Sequence, residues 1–191
     1  MLLQGLTTVI VILCWFVYLP MFIGKDEPDT KPIRQGSGSK WGIILQYAGS
    51  AVVWFWRRPL FSPLEGTRAP LRIVAPIVAV LLAVGSVYFS RLALQALGKQ
   101  WSFVAGVTAK HRLIKDGPYS LIRHPLYVCF FGLTMATGLV WSMPAGLLLS
   151  APLFWIGVWI RVRSEEKILH ETFGAEFEAY VQRVPAFFPF R

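Results

Sequence analysis

Two polar blocks hold the side chains of this chain best suited to chemistry. The first runs His111-Arg-Leu-Ile-Lys-Asp-Gly-Pro-Tyr-Ser-Leu-Ile-Arg-His-Pro-Leu-Tyr127, and the second Arg161-Val-Arg-Ser-Glu-Glu-Lys-Ile-Leu-His-Glu-Thr-Phe-Gly174. In the second block Arg161 and Glu165 are four apart, so a helix sets them on one face a turn apart, with Leu169 continuing the row. Glu166 and His170 form the adjacent row. A guanidinium beside carboxylates suits a ligand of both charge signs, anchoring an anion at one point and accepting hydrogen bonds at another. The same spacing also serves a solvated helix face laced by ordinary ion pairs. In the first block Pro125 fits the first turn of a helix: its missing N–H is not needed there, and its ring disfavours helical geometry at His124. His124 alone reads as a helix-end residue, His111 as a loop residue and Gly117-Pro118 as a turn. No two histidines have the spacing of a zinc-protease helix, and no metal site is expected.

The elements that must position these blocks are membrane helices. Of the 191 residues 55% are hydrophobic and only 15% charged, with a mean hydropathy of +0.54, far more apolar than a soluble domain. The formal charge of +9 arises from 19 Lys and Arg against 10 Asp and Glu. In such a chain those cations meet lipid phosphate rather than nucleic acid. Cys14 and Cys129 both sit in apolar runs and read as packing residues.

Leu2 to Ile23 is uncharged and long enough to cross a hydrocarbon core of about 30 Å. The first charge, Lys25, follows the apolar run, so this segment reads as a mature helix rather than a secretory signal. Gly24–Lys40 is rich in Pro, Gly, Ser and both charge signs and reads as a solvated loop. Trp41–Trp56 is a shorter span bracketed by Lys40 and Arg57-Arg58, with Trp41, Trp54 and Trp56 as interfacial aromatics. A turn-rich connection follows. Arg72–Leu97 is long enough to cross with tilt and stops at Gly98; Arg91 near its far end snorkels to the headgroups. Pro125–Trp141 and Met143–Ile160, divided by Ser142 and Pro144, form a tight helical hairpin. Beyond Ile160, charges alternate with Ile168, Leu169, Phe173, Phe177, Tyr180 and Val181 at near-helical spacing, an amphipathic helix lying along the surface.

The expected fold is therefore all-α: a polytopic membrane protein of about five transmembrane helices with a C-terminal amphipathic helix. Residues 1–97 supply the N-terminal helices, and 98–191 the polar loop, hairpin and tail of one integrated domain. Because a hairpin goes out and returns, its start near Pro125 and its end near Ile160 are neighbours, which brings the two blocks together. Ionisable residues at such a junction mark a functional site. With five spans, Gly24–Lys40, Lys99–His124 and the tail share one side, and their cations assign it to the cytoplasm. Arg57, Arg58, Arg68 and Arg72 on the other side are an exception. A shallow re-entrant hairpin at the second span would explain them and would reverse the side of the N-terminus.

The pattern H-R-L-I-x-x-G-P-Y-x-x-x-R-H-P-L-Y, followed after the hairpin by R-x-x-x-E-E-x-x-L-x-x-x-F-G-x-x-F-x-x-Y-x-x-R-V-P-x-x-x-P-F, closely resembles the isoprenylcysteine carboxyl methyltransferase family. It is similar, more distantly, to phospholipid methyltransferases of the same membrane superfamily. The likeness runs from about Gly98 to Arg191; the N-terminal half matches only as generic spans. It implies S-adenosyl-L-methionine-dependent methyl transfer to a lipophilic acceptor, such as a prenylcysteine-like carboxylate on a small molecule or peptide. On this resemblance the cofactor falls to His111, Arg112, Leu113, Ile114, Tyr119, His124, Pro125, Leu126 and Tyr127. The family's glutamate contact falls on Glu165, with Glu166 the adjacent candidate, and its substrate-binding arginine falls on Arg161. One polar cofactor contact of the family is replaced here by Val104 or a neighbour. The methyl on a sulfonium is already activated, so such an enzyme works by positioning and by excluding water rather than by acid–base catalysis. Two other classes compete: an NADPH-dependent sterol-type membrane reductase of similar C-terminal architecture, and a small transporter or structural membrane protein. Inverted repeats and mid-span charges, the marks of transport, are absent from the sequence. The identity of the acceptor and the oligomeric state are not encoded in these patterns.

Overall fold

A computed structural model describes residues 2–23, 34–35, 39–59, 69–98, 106–107 and 112–188. Its helices are α1 (Leu2–Tyr18), α2 (Ser39–Phe55), α3 (Ala69–Leu97), α4 (Pro125–Trp141), α5 (Pro144–Phe173) and α6 (Ala175–Arg183). A two-residue antiparallel pairing joins Arg34–Gln35 to Gly106–Val107. Among the described residues three stretches are long and apolar enough to cross a membrane, Leu2–Phe22, Pro70–Leu97 and Pro144–Phe173, and Pro125–Trp141 is a shorter apolar helix. Large apolar side chains such as Leu6, Phe16, Leu81, Tyr88, Leu148 and Ile156 point outward, as a lipid-facing belt requires. The protein is an all-α polytopic membrane protein, as the composition predicts.

Inside a bilayer, polar groups must find partners within the protein. Thr7 and Thr8 donate to the carbonyls of Leu3 and Gln4 one turn back, each at 2.8 Å. Trp15 Nε1 donates to Thr137 Oγ1 at 2.8 Å, tying α1 to α4. Ser50 and Thr134 share a hydrogen bond of 3.0 Å between α2 and α4. The apolar core unites Val11 and Tyr18 of α1, Ala79 and Ala83 of α3, and Leu133, Ala136 and Val140 of α4. A second cluster, Phe154, Val158 and Val162, fills the inner face of α5.

Over the second expected span the chain forms one continuous helix, α2. Helix α2 runs along α5 through a seam of small residues: a Cβ at Gly157 would lie 2.6 Å from the Gly42 carbonyl oxygen, and one at Gly49 2.6 Å from the Phe154 nitrogen. Such backbone-to-backbone approach lets helices associate where the hydrophobic effect offers nothing. The far end of α2 reaches the α4–α5 turn, where Met143 N donates to Trp56 O at 3.0 Å and Ser142 Oγ to the same oxygen at 2.9 Å. Arg58, an exception to the charge asymmetry, is buried there and donates from Nη2 to the carbonyls of Leu139 and Val140 at 2.7 and 2.8 Å. It satisfies carbonyls at the C-terminal end of α4, which carry partial negative charge.

The tail departs from the expected boundary. Helix α5 does not end near Ile160 but continues through both acidic residues to Phe173, and a break at Gly174 (φ +48°) precedes α6. The C-terminal amphipathic helix is thus α6 alone. With its apolar stem already packed, α5 extends through a run of good helix formers until a glycine in the left-handed region stops it. At the end of α3, Gly98 (φ +56°) provides the predicted stop in the same way.

Candidate functional site

Pro125 opens α4 as its first residue, and His124 before it has φ −125° and ψ 60°, outside the helical region as the proline demands. Immediately upstream a 3-10 turn, Gly117–Ser120, buries Pro118 and Tyr119. The upper third of α5 presents Arg161, Glu165 and Glu166 to this junction. The two blocks therefore meet at one end of the bundle, as the hairpin requires.

Glu166 binds the end of the first block. Its Oε1 accepts from Arg123 Nε at 2.9 Å and from His124 Nε2 at 2.9 Å, and Arg123 Nη2 lies 2.8 Å away. Glu165, one residue earlier, accepts a hydrogen bond from the Tyr127 hydroxyl. Its other oxygen stands 3.7 Å from His124 Nδ1, beyond hydrogen-bonding distance, and Arg161 Nη2 is 3.7 Å from Oε1. The Arg161 guanidinium also lies 5.0 Å from the centre of the Tyr127 ring, within cation–π range, and donates from Nη1 to Gln46 Oε1 of α2 at 3.1 Å. Arg161 and His124 are buried, and Glu165 keeps 22% side-chain exposure. That leaves two partly open carboxylates, Glu165 and Glu166, among cations that are themselves enclosed.

The C-terminal segment forms one wall. Arg123 N donates to Pro185 O at 2.9 Å and His124 N to Ala186 O at 3.0 Å. Tyr180 donates its hydroxyl to the Tyr119 carbonyl at 2.6 Å. Burial pushes the Tyr180 phenol up to about 12, so it stays a donor throughout the physiological range. Burial, and then the Glu165 charge, also raise the Tyr119 phenol above its ordinary value. Phe187 packs against Trp155 at 4.9 Å and against the His124 ring at 5.8 Å between centroids. On the outer side Lys115 pairs with Glu176 at 2.7 Å and His170 with Glu178 at 2.8 Å, both exposed.

Of the residues singled out in the sequence, His124, Tyr127, Arg161, Glu165 and Glu166 form one cluster, with Pro125 buried beneath it and Leu126 half-buried beside it. Tyr119 is buried nearby. Leu113 packs instead against the apolar face of α6, around Phe177, Tyr180 and Val184, with Ile114 half-buried next to it and Arg112 exposed. His111 and Val104 lie outside the described residues. Sequence reasoning passed over Arg123, Tyr180, the Val184–Phe187 segment and Gln46. The first three stand inside the motifs R-H-P and F-x-x-Y-x-x-R-V-P and were legible there; Gln46, in an apolar run, gave no signal beyond being polar.

Helices able to cross a bilayer, closed at one end by an ionic cluster with a partly exposed carboxylate, define a polytopic membrane protein with a candidate site at the mouth of its bundle. Residues 74–176, which include that cluster, match the phospholipid methyltransferase family, and the chain belongs to it. It is 32% identical over 116 residues to the protein-S-isoprenylcysteine O-methyltransferase of Saccharomyces cerevisiae, covering 60% of this chain and 48% of that protein. It is also 37% identical over 119 residues to the nickel-cobalt-cadmium resistance protein NccN of Alcaligenes xylosoxydans xylosoxydans, covering 59% and 52%. To the cobalt-zinc-cadmium resistance protein CzcN of Cupriavidus metallidurans it is 34% identical over 122 residues, covering 61% and 51%. The chain thus spans about half the length of the curated relatives it matches. Among the described residues no group of three or more His, Cys, Asp or Glu is arranged to hold a metal ion.

Proposed function

We propose that this chain is a membrane methyltransferase that uses S-adenosyl-L-methionine to methylate the carboxylate of a lipophilic, prenylcysteine-like acceptor at the cytoplasmic face of the bilayer. The observation that carries the reading is the convergence of Tyr127, Arg161 and Glu165 at the bundle mouth, with a guanidinium and a partly exposed carboxylate side by side. Family membership and the isoprenylcysteine methyltransferase relatives support the reaction class. The cation-rich segments around Lys40, Lys115 and Arg163 support the cytoplasmic side.

The donor set fits such a cofactor. Among the described residues one oxygen of Glu165 has no partner closer than His124 at 3.7 Å, so it has capacity to accept from hydroxyl or amino groups. Glu166 is already engaged by Arg123 and His124, which makes Glu165 the better cofactor contact and Glu166 the brace behind it. Tyr119 and the His124–Tyr127 stretch of the first block line the rest of the cofactor's place, and the amino-terminal end of α4 favours its carboxylate. When bound, the cofactor supplies a methyl group on a cationic sulfur, whose transfer to a carboxylate oxygen leaves a neutral thioether. Arg161 anchors the anionic end of the acceptor through charge-assisted hydrogen bonds. Tyr127 fixes Glu165 by hydrogen bond and Arg161 by its ring face. The aromatic wall of Trp155 and Phe187 keeps water away, and the acceptor's apolar chain stays in the lipid. The work of the protein is alignment, with no side chain acting as nucleophile.

The test is incubation of the purified protein with methyl-labelled S-adenosylmethionine and a membrane extract, followed by identification of the labelled product. Label in a lipid-soluble carboxyl ester is the expected result. Stabilisation by NADPH but not by S-adenosylmethionine, with no label transferred, would replace the methyltransferase with a reductase.

A further inference from the structure

Away from the ionic cluster, α1 and α3 enclose a cleft of about 340 Å³ between them. Cys14, Val17 and Met21 line one wall, and Val84, Tyr88 and Arg91 the other. Each set spaces its residues along one helical face over about 10 Å, so the walls are two facing stripes. Val17, Val84 and Tyr88 are 52%, 49% and 64% exposed, so the cleft opens sideways to lipid. Arg91 is the one charged residue that lines it. Neither helix holds an Asp or Glu, Arg91 is exposed, and it takes no part in the ion pairs among the described residues.

The cation stands at the correct depth for a headgroup. Arg91 lies about 9 Å short of the end of α3 at Leu97, within reach of the bilayer border for a side chain of that length. That end of α3 adjoins the candidate site, since a Cβ at Gly117 would stand 3.8 Å from the Ala96 Cβ. An apolar cleft with a guanidinium at its headgroup end has the shape and charge of a two-part molecule: a hydrocarbon chain below, a phosphate above. We propose that this cleft seats one acyl chain of an anionic phospholipid, drawn from the leaflet at the mouth of the bundle, with its phosphate on Arg91. The occupant is a resident lipid and not the molecule methylated, because α1 and α3 contribute none of the side chains of the cluster formed by His124, Tyr127, Arg161, Glu165 and Glu166. Its place braces the end of α3 against the Gly117–Ser120 turn, which buries Tyr119. The proposal does not depend on methyl transfer.

The experiment titrates the full chain in detergent with dioleoylphosphatidylglycerol or with zwitterionic dioleoylphosphatidylcholine and follows the first bound lipid by native mass spectrometry. The anionic lipid should bind about fivefold more tightly, the worth of one basic residue at a lipid surface. Arg91→Gln should weaken the anionic lipid about fivefold and leave the zwitterionic one within about twofold. Arg163→Gln, which removes another exposed cation, one stacked on Trp159, should change neither. Val84→Trp fills the cleft and should weaken both lipids. A phosphatidylglycerol with a diazirine on its acyl chain locates the site without any substitution, and should label the peptides of α1 and α3 that carry Cys14 and Val84. Equal affinity for the two lipids, an Arg163→Gln effect as large as that of Arg91→Gln, or labelling confined to α2 and α5 would overturn the proposal. Displacement of the photolabel by N-acetyl-S-farnesylcysteine, together with a raised KM for that acceptor in Arg91→Gln, would overturn it too, by giving the cleft to the acceptor. A chain that transfers no methyl group but binds the anionic lipid through Arg91 would sink the functional reading and leave this one standing.

Discussion

Arg123 and Glu166, 43 positions apart, meet with Nε 2.9 Å and Nη2 2.8 Å from a single carboxylate oxygen. Because His124 donates to that same oxygen, the contact clamps the residue before α4 onto the upper third of α5. The clamp is the hinge pin of the site: it fixes where the hairpin's two ends stand, and so where Tyr127 meets Glu165.

Breaking it should therefore cost stability before chemistry. Arg123→Ala leaves the Glu166 carboxylate, only 26% exposed on its side chain, without its main counter-charge. A loss of about 2 kcal/mol is expected, below the 3–5 kcal/mol of a fully buried pair because water reaches Glu166. Thermal unfolding in detergent reads it, and an unchanged melting temperature would show that the clamp is decorative.

Arg161→Ala should raise the KM of an anionic acceptor tenfold or more, in the range of about 1.5–3 kcal/mol for a hydrogen bond to a charged group. Binding of S-adenosylmethionine, followed by titration calorimetry, should stay within a few-fold. Wholesale loss of cofactor binding would instead move Arg161 from the acceptor to the cofactor.

Tyr127→Phe removes the donor that fixes Glu165 and leaves the ring that faces Arg161. The cofactor Kd should weaken about fivefold, the worth of about 1 kcal/mol. Glu165→Gln should weaken it further, and Glu166→Gln should act mainly on thermal stability. Equal effects of the two glutamine variants on cofactor binding would remove the distinction between contact and brace.

At the opposite end of the bundle, Arg58→Met should lower stability by about 2 kcal/mol, since the Leu139 and Val140 carbonyls lose a charged donor in a buried place. Its KM and kcat at a temperature where it is folded should match the wild type. A kinetic effect there would mean that the turn between α4 and α5 is coupled to the site.

Much of this was legible in the sequence. Long uncharged runs dictate helices that cross a bilayer, since no other backbone satisfies itself there. Pro125 marks the start of α4, Gly98 ends α3, and a hairpin with a two-residue turn forces the blocks around His124 and Glu165 to meet. Those are local rules or direct consequences of chain geometry. What only the tertiary structure decided are the lateral partners: Gln46 on Arg161, Arg58 on the end of α4, Arg123 sharing Glu166 with His124, and the tail pairing at Pro185 and Ala186. The length of α5 belongs with them, because helix formers continue past Ile160 without a break until Gly174. The physical reason is that a helix apolar on every side carries no moment to say which face meets which neighbour. In lipid that choice falls to small residues and single hydrogen bonds, such as Gly42, Gly157 and the Gln46 amide, whose meaning exists only once two distant helices are side by side.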